Sequence, residues 1–361
     1  MRKQLWLFSV VLAFALIAAA CGGDSDDDTT TTAAATATTA AAVTEAPTDP
    51  VNVGLVYDIG GRGDQSFNDS AAAGFDLATA DFGIIPSEAS ANNDGSNREE
   101  LLNLQADESD LVFGVGFLFG DPMLAAATAS PDVNFAIVDG FIADAPDNVA
   151  MLLFAEHEGS FLVGAAAALK SETGHVGFIG GVNMELIQRF EAGFVAGATA
   201  VNPDIEIDIQ YITEPPDFAG FNDPASGKVI GQAMYEGGAD VVYHAAGGSG
   251  SGLFQAAKEY SEANGTHVWA IGVDSDQYLT ASADVQQYIL TSMLKRVDVS
   301  VYDTIKEQND GMFAGGVKTF DLSVDGVGYS ISGGFVDDIV DQLDAFKAQI
   351  ISGDIVVPAT P

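Results

Sequence analysis

Short apolar segments alternate with longer segments of helical spacing along most of this sequence. This alternation predicts parallel strands joined by helices that cover both faces of a sheet. A first round of the pattern begins at position 51. Its predicted strands are 51–57, 111–115, 134–138 and 149–154, and its predicted helices are 71–82, 98–106 and 122–129.

A second round of the same pattern follows without close repetition of the sequence itself. Two rounds of one α/β pattern predict two similar lobes, each with its own parallel sheet. The predicted helices of this round are 158–170, 185–201 and 229–236, and its predicted strands are 175–179, 205–211, 241–245 and 267–273.

A glycine-rich segment, 58–70, separates the first predicted strand from the first predicted helix. It therefore lies at the carboxyl edge of the predicted sheet, where open α/β folds bind ligands. Ser66 and Asn68 can cap the helix, and Phe67 can stack on a flat ligand. Three carboxylates in the segment argue against a phosphate, and the dinucleotide and Walker patterns are both incomplete. We expect a neutral, hydroxyl-rich ligand; alternatively, Phe67 belongs to the core and the aspartates are solvated caps.

Other candidate binding residues also follow directly after predicted strands. The strand ends of two α/β lobes face a common cleft, so we expect these residues to come together there. The candidates are Asp58, Gly116, Phe117, Asp139, Gly247, Gly248 and Asp274.

Five groups of residues form a recognisable pattern along the chain. They are DIGGRGDQSFNDS (58–70), GVGF (114–117) with FAIVDG (135–140), GFIGG (177–181) with RFEAGF (189–194), DVVYHAAGGSG (240–250), and IGVDSDQ (271–277) with LTSMLKR (290–296). In this order they resemble the signatures of the basic membrane protein family, the purine-nucleoside-binding lipoproteins of ABC importers. The resemblance extends from position 51 to the C-terminus. It implies an α/β type I periplasmic-binding-protein fold, with two Rossmann-like lobes joined by a hinge of three crossovers.

The resemblance also implies the extent of each lobe. We expect lobe 1 to comprise 51–155 plus 277–316, and lobe 2 to comprise 156–276 plus 317–361. The chain would then cross between the lobes near positions 155, 276 and 316.

The same resemblance implies roles for individual residues. Phe67 and Phe190 would stack on the two faces of a purine base, and Asp274 and Lys295 would bind the ribose hydroxyls. Asp139 would contact the base nitrogens or the sugar. Asp58 and Asn68 would add polar contacts to the base edge.

Two of these residues also have ordinary structural explanations. Phe190 shares an apolar stripe of helical spacing with Ile187 and Phe194, which is typical of core packing. Lys295 lies in an apolar context, where an unpaired ammonium is costly, and it could instead form a structural ion pair with Asp298 or another surface carboxylate.

The first fifty residues predict export and anchoring. Positions 1–20 begin with two basic residues and continue as an apolar run, which is typical of a signal peptide. Cys21, the only cysteine, follows three alanines in a context that resembles a lipobox, although Ala18 replaces the usual leucine. Positions 21–50 lack aromatic residues and predict a disordered, lipid-anchored tether. We therefore expect the protein on the extracytoplasmic side of the cell membrane.

The charge balance limits the class of partner. With 13 basic and 52 acidic residues the net charge is −39, which disfavours nucleic acid and anionic lipid surfaces as partners. An anchor on Cys21 would therefore be needed to hold the protein at a membrane. The partners that the resemblance implies are a purine nucleoside, an ABC permease and its ATPase.

No pattern in the sequence indicates an enzyme. The four histidines lack metal-binding spacing, and the run 248–252 has glycine where a nucleophile elbow requires serine. We expect no cofactor and no metal. The function we expect is a substrate-binding lipoprotein whose lobes close over a purine nucleoside. The alternatives are the same fold with a flavin or a sugar and, less favoured, an extracellular nucleoside-cleaving enzyme.

Overall fold

Two six-stranded sheets organise the computed structural model, which describes residues 49–361. The predicted signal peptide, Cys21 and nearly all of the predicted tether lie outside the described residues. The strands are β1 (Asn52–Tyr57), β2 (Ile85–Ser90), β3 (Leu111–Val115), β4 (Asn134–Val138), β5 (Val149–Phe154), β6 (His175–Val182), β7 (Glu206–Thr213), β8 (Val241–Ala245), β9 (Trp269–Asp274), β10 (Ile289–Lys295), β11 (Gly316–Phe320) and β12 (Val327–Tyr329).

Ten α-helices accompany these strands in residues 49–361. None of them combines the length and the apolar character that crossing a bilayer requires. They are α1 (Phe67–Phe82), α2 (Arg98–Ala106), α3 (Gly120–Ala129), α4 (Glu156–Lys170), α5 (Glu185–Val201), α6 (Pro224–Gly237), α7 (Gly250–Asn264), α8 (Gln277–Thr280), α9 (Val297–Asn309) and α10 (Val340–Ser352).

The first sheet has the strand order β11-β5-β4-β3-β1-β2, and the second has β12-β10-β9-β8-β6-β7. All neighbours pair in parallel except β10 and β12. The central strands are buried along most of their length because helices cover both faces, which explains their continuous apolar sequences. The predicted α/β class with two Rossmann-like lobes is confirmed.

Helices α4 and α5 of the second lobe approach each other closely through glycines. A Cβ atom at Gly193 would lie 2.1 Å from the carbonyl oxygen of His157, and one at Gly164 would lie 2.1 Å from that of Phe194. Any larger side chain would therefore force the two backbones apart.

The chain passes between the sheets after β5, between β10 and α9, and between β11 and β12. The predicted passages near positions 276 and 316 differ from this arrangement. β10, placed in lobe 1 by the prediction, pairs with β9 in the second sheet, and β11 pairs with β5 in the first. An apolar strand suits either sheet, and only its hydrogen-bonding partners decide between them.

The three connecting segments are hydrogen-bonded to one another. Ala155 N donates to Phe320 O at 3.0 Å, and Arg296 N donates to Gly326 O at 2.9 Å. The passages between the lobes therefore lie side by side, as a hinge requires.

Candidate ligand-binding cleft

A cavity of about 690 Å³, counting the part open to solvent, lies between the two lobes at the carboxyl ends of their strands. All of the predicted ligand-binding residues except Gly248 line it: Asp58, Phe67, Asn68, Gly116, Phe117, Asp139, Phe190, Gly247, Asp274 and Lys295.

Gly248 lies in the turn that follows β8 but not in the cavity wall. It is the middle residue of the 3-10 turn Gly247–Ser249, and a Cβ atom there would lie 3.3 Å from the Asn222 side chain. The turn therefore presents Gly247 to the cavity, and Gly248 packs behind it.

Asp64 organises the glycine-rich segment that enters the cavity. Its carboxylate accepts hydrogen bonds from the backbone of Ser66, Asn68 and Asp69 at 2.9 to 3.1 Å. Asp64 thus satisfies the first amides of α1, the role that the sequence assigned to Ser66 and Asn68. Burial raises the pKa of Asp64, while these hydrogen bonds to the ionised form oppose the increase.

Ser66 contacts the other lobe instead of capping the helix. Its Oγ donates to Asp274 Oδ2 at 2.6 Å, and its carbonyl accepts from Ser275 Oγ at 2.9 Å. Next to it, the carbonyl of Gln65 accepts from Gln277 Nε2 at 2.9 Å. These hydrogen bonds join the first loop of lobe 1 to the end of β9 in lobe 2.

Asp58 is held by an arginine that the sequence analysis did not single out. Arg98 Nε donates to Asp58 Oδ1 at 3.0 Å, and the backbone of Ile59 donates to the same oxygen at 2.8 Å. Burial raises the pKa of Asp58, and Arg98 opposes this shift. The arginine thus fixes the carboxylate that the sequence predicted at the base edge.

Lys295 ends β10 and is only 1% exposed. Its ammonium forms an ion pair with Asp139 and lies 3.4 Å from Glu156 Oε1. Three rings enclose it, with their centroids at 5.0 Å for Phe154, 5.2 Å for Phe67 and 5.4 Å for Phe190. A desolvated cation over aromatic faces is stabilised by their quadrupoles.

Lys295 therefore does not pair with Asp298, the partner that the sequence suggested for a structural ion pair. Asp298 pairs with Arg296, at 2.9 Å, and not with Lys295. The aromatic rings of Phe67 and Phe190 come from different lobes yet face the same ammonium. Phe190 also packs in the lobe 2 core, as its apolar stripe of helical spacing predicted.

Asp139 and Asp274 occupy equivalent positions in the two lobes, directly after β4 and as the last residue of β9. Both have left-handed backbone conformations, with φ of 63° and 64°. Non-glycine residues rarely adopt this conformation, and it is often found at functional sites. Asp139 Oδ1 is buried and has no hydrogen-bond partner within the described chain, so it is available to a ligand.

Burial is the largest cause of the pKa shifts of the carboxyl groups around Lys295. It raises the pKa of Asp274 to about 6 and that of Glu156 to about 7, and Lys295 opposes both shifts. Burial alone would lower the pKa of Lys295, but Asp139, Glu156 and Asp274 raise it above its usual value. The cluster thus places one charged donor among several acceptors, an arrangement suited to hydroxyl groups.

The family model described as an ABC transporter substrate-binding protein, PnrA-like, with the short name Bmp, matches residues 51–361. The chain belongs to this family. The resemblance to the basic membrane protein family is thereby confirmed. This Bmp-family protein is a substrate-binding protein of an ABC transporter and not an enzyme, and its partners are a small-molecule ligand, a permease and an ATPase.

Curated relatives and solved structures agree with this assignment. The CD4+ T-cell-stimulating antigen of Listeria monocytogenes is 38% identical over 86% of this chain and 88% of its own length. The ABC transporter nucleoside-binding protein BmpA of Lactococcus lactis is 37% identical over 84% of this chain and 88% of its own length. The crystal structure of an ABC transporter solute-binding protein from Aeropyrum pernix K1 superimposes with a TM-score of 0.75 at 31% identity, covering 86% of this chain and 94% of that one.

Several residues around the cleft of this Bmp-family chain escaped the sequence analysis. Leu186 and Phe221 add apolar side chains to the cavity wall. Glu156 and Phe154 flank the first passage between the lobes and contact Lys295. Both lie at a strand end, the signal that identified the other candidates, so the same rule applied at the end of β5 would have found them.

Within residues 49–361, the wall of the cavity contains no serine, cysteine or histidine residue. His244, near the cavity, is fully buried and its Nε2 lies 3.0 Å from Gln277 Oε1. Burial lowers its pKa to about 4. It is therefore a neutral, packed histidine.

Proposed function

We propose that this Bmp-family protein binds a purine nucleoside in the cleft between its lobes and delivers it to an ABC permease. The observation that carries the proposal is the environment of Lys295: aromatic rings from both lobes and two cavity-lining carboxylates surround one buried ammonium. Rings of this kind stack on a base, and the charged groups bind vicinal hydroxyls. The Lactococcus lactis relative is named as a nucleoside-binding protein, which supports the same ligand class.

The proposal assigns a role to each of the predicted binding residues that line the cavity. Phe67 and Phe190 stack on the base, and Asp58 and Asn68 contact its polar edge. Asp274 and Lys295 bind the ribose hydroxyls, while Asp139 holds the ammonium of Lys295 and offers its free oxygen. Gly116, Phe117 and Gly247 complete the wall around the ligand.

Lobe closure is part of the proposal. The ligand would contact both lobes and so favour the closed arrangement. The hydrogen bonds from Ser66 to Asp274, from Ser275 to Ser66 and from Gln277 to Gln65 support this, because they join the lobes at the cleft and would have to break on opening.

The decisive experiment is calorimetric titration with inosine, guanosine, adenosine, uridine, ribose and riboflavin. Calorimetry is preferable to tryptophan fluorescence because Trp269 is the first residue of β9 and Asp274 the last, so the tryptophan lies at the end of the strand away from the cleft. We expect the purine nucleosides to bind more tightly than uridine or ribose. Binding of none of the nucleosides would refute the proposal, and a co-purified flavin or sugar identified by mass spectrometry would replace the ligand.

Conservative variants test the aromatic contacts. Phe67→Leu and Phe190→Leu keep apolar volume but remove the flat face, and each should weaken nucleoside binding by about 1 to 3 kcal/mol, or roughly 5- to 150-fold. Phe82→Leu is the matched control because Phe82, on the same helix as Phe67, packs against Tyr302 instead of the cavity. Equal affinities in all three variants would contradict base stacking.

We also propose that Cys21 carries the lipid that holds the protein at the extracytoplasmic face of the membrane. The support is its place after the predicted signal peptide. Cys21→Ser should move the protein from the membrane fraction to the soluble fraction of cells. A Cys21→Ser protein that stays with the membrane would contradict the anchor.

A further inference from the structure

A histidine and two carboxylates meet at the amino ends of β6 and β7, the edge of the second sheet opposite the cleft. His175 begins β6 and Glu206 begins β7, and the two residues are directly opposite each other in the parallel register. Asp208 lies two positions further along β7, so its side chain is on the same sheet face as that of Glu206. One ligand atom from each residue lies within 4.8 Å of the other two.

The imidazole of His175 is buried and is not satisfied by a hydrogen bond. The residue is 9% exposed, and its Nε2 atom has no hydrogen-bond partner within the described chain. Asp208 Oδ2 lies 3.0 Å from this nitrogen, but the contact does not have the geometry of a hydrogen bond. Buried polar nitrogens normally have a hydrogen-bond partner or another ligand, so the unsatisfied Nε2 requires an explanation.

The observed spacing is that of two atoms bound to one metal ion. Ligands at about 2.0 to 2.2 Å from a zinc ion are roughly 3 Å apart, and they point at the ion instead of at each other. The pair formed by His175 and Asp208 meets the distance condition, and its geometry is not that of a hydrogen bond between the two atoms. Glu206 is exposed and can close the remaining distance by rotating its side chain.

We propose that His175, Glu206 and Asp208 bind one divalent transition-metal ion of the Zn²⁺ class, with water completing the coordination. One imidazole nitrogen with carboxylate oxygens is a donor set that zinc accepts, whereas magnesium and calcium prefer oxygen alone. The high negative charge of the chain also raises the local concentration of cations.

Such an ion would stabilise the pairing of the edge strand β7 with β6. β7 is the outermost strand of its sheet and is poorly buried, with His175 on the neighbouring β6. Metal binding to the folded state alone stabilises it by mass action. Because β6 has eight residues and its other end faces the cleft, the site lies roughly 20 Å from the ligand. The ion would therefore change stability without changing ligand affinity.

The test is a titration of the full chain with Zn²⁺ in about 0.15 M salt, in a Cys21→Ser background so that the thiol does not bind the metal. Glu206→Gln removes an exposed ligand and Asp208→Asn a partly exposed one, so both should leave the fold intact, and His175→Gln removes the buried ligand. His267→Gln, which replaces an exposed histidine elsewhere in lobe 2, is the matched control. Co²⁺ absorption in the visible range reports the coordination geometry independently.

We expect about one equivalent of Zn²⁺ per chain and a rise of a few degrees in Tm on its addition. Asp208→Asn and His175→Gln should weaken binding at least tenfold, with loss of the Co²⁺ band, while His267→Gln should behave like the parent. Equal zinc binding in Asp208→Asn and the parent would overturn the proposal. So would an absence of stoichiometric binding, which would leave an ion pair between His175 and Asp208 as the explanation of the contact.

Discussion

Replacing Glu156 by glutamine tests how strongly burial of this carboxyl group influences the stability of the folded protein. Glu156 is 1% exposed, and the ammonium of Lys295, 3.4 Å away, is shared with Asp139. One oxygen of Glu156 has no hydrogen-bond partner in the described chain. The protonated form is therefore favoured, and glutamine resembles that form in shape and charge.

The size of the effect follows from the change in pKa. Burial raises the pKa of Glu156 from 4.5 to about 7, with Lys295 opposing the shift and Asp139 adding to it. One pKa unit corresponds to about 1.4 kcal/mol. A shift of this size lowers the free energy of unfolding by about 3 kcal/mol once Glu156 is ionised in both states.

The sign of the pH dependence is fixed by the direction of the shift. Below pH 4.5 the group is protonated in the folded and unfolded states, so the stability it contributes is fully present. As the pH rises from 4.5 through 7, only the unfolded state releases its proton readily, and that contribution is lost. The Glu156→Gln variant has no carboxyl group at this position, so this loss of stability with rising pH should not occur in it.

Urea unfolding at pH 5 and pH 8.5, followed by circular dichroism, measures the effect. Between these values the wild type should lose about 2 to 3 kcal/mol more than Glu156→Gln. Glu185→Gln is the control, because the Glu185 side chain is 76% exposed and its removal should leave the pH dependence unchanged. The reasoning is refuted if Glu156→Gln and the wild type lose stability in parallel.

Two further predictions concern stability. Arg98→Gln leaves the buried Asp58 carboxylate without its cation, so it should lower the free energy of unfolding at neutral pH by about 3 kcal/mol. Urea titration measures this value, and an unchanged free energy would show that the pair contributes little. Gly193→Ala should lower it by at least about 2 kcal/mol, since the new Cβ would meet a backbone oxygen of α4 at 2.1 Å. Gly120→Ala, at a helical position with no atom within 4 Å, should be neutral, and equal losses in both glycine variants would contradict the packing argument.

The sequence by itself determined the fold class and most of the cleft. Central strands of a parallel sheet are covered on both faces, so β1, β3, β4 and β8 appear in the sequence as predominantly apolar runs. The residues that follow such runs must lie at the carboxyl edge of the sheet. That rule located Asp139 without any knowledge of its partners.

Two exposed edge strands, β2 and β11, were not predicted by the pattern. β2 is an edge strand with the sequence IPSEAS and is largely exposed, so no apolar run marks it. β11 is likewise half exposed on the outside of the first sheet. Exposed edge strands are held by backbone hydrogen bonds, which any residue except proline can form.

Tertiary structure alone decided which groups meet in the cleft. Ser66 and Asp274 are 208 positions apart and hydrogen-bonded, and Lys295 pairs with Asp139 across 156 positions. Contacts of this kind depend on the order of strands in each sheet and on where the chain passes between the lobes. Local apolar periodicity carries no information on either, because a run of buried residues fits any central strand equally well, and only the packed arrangement of both lobes selects the partners.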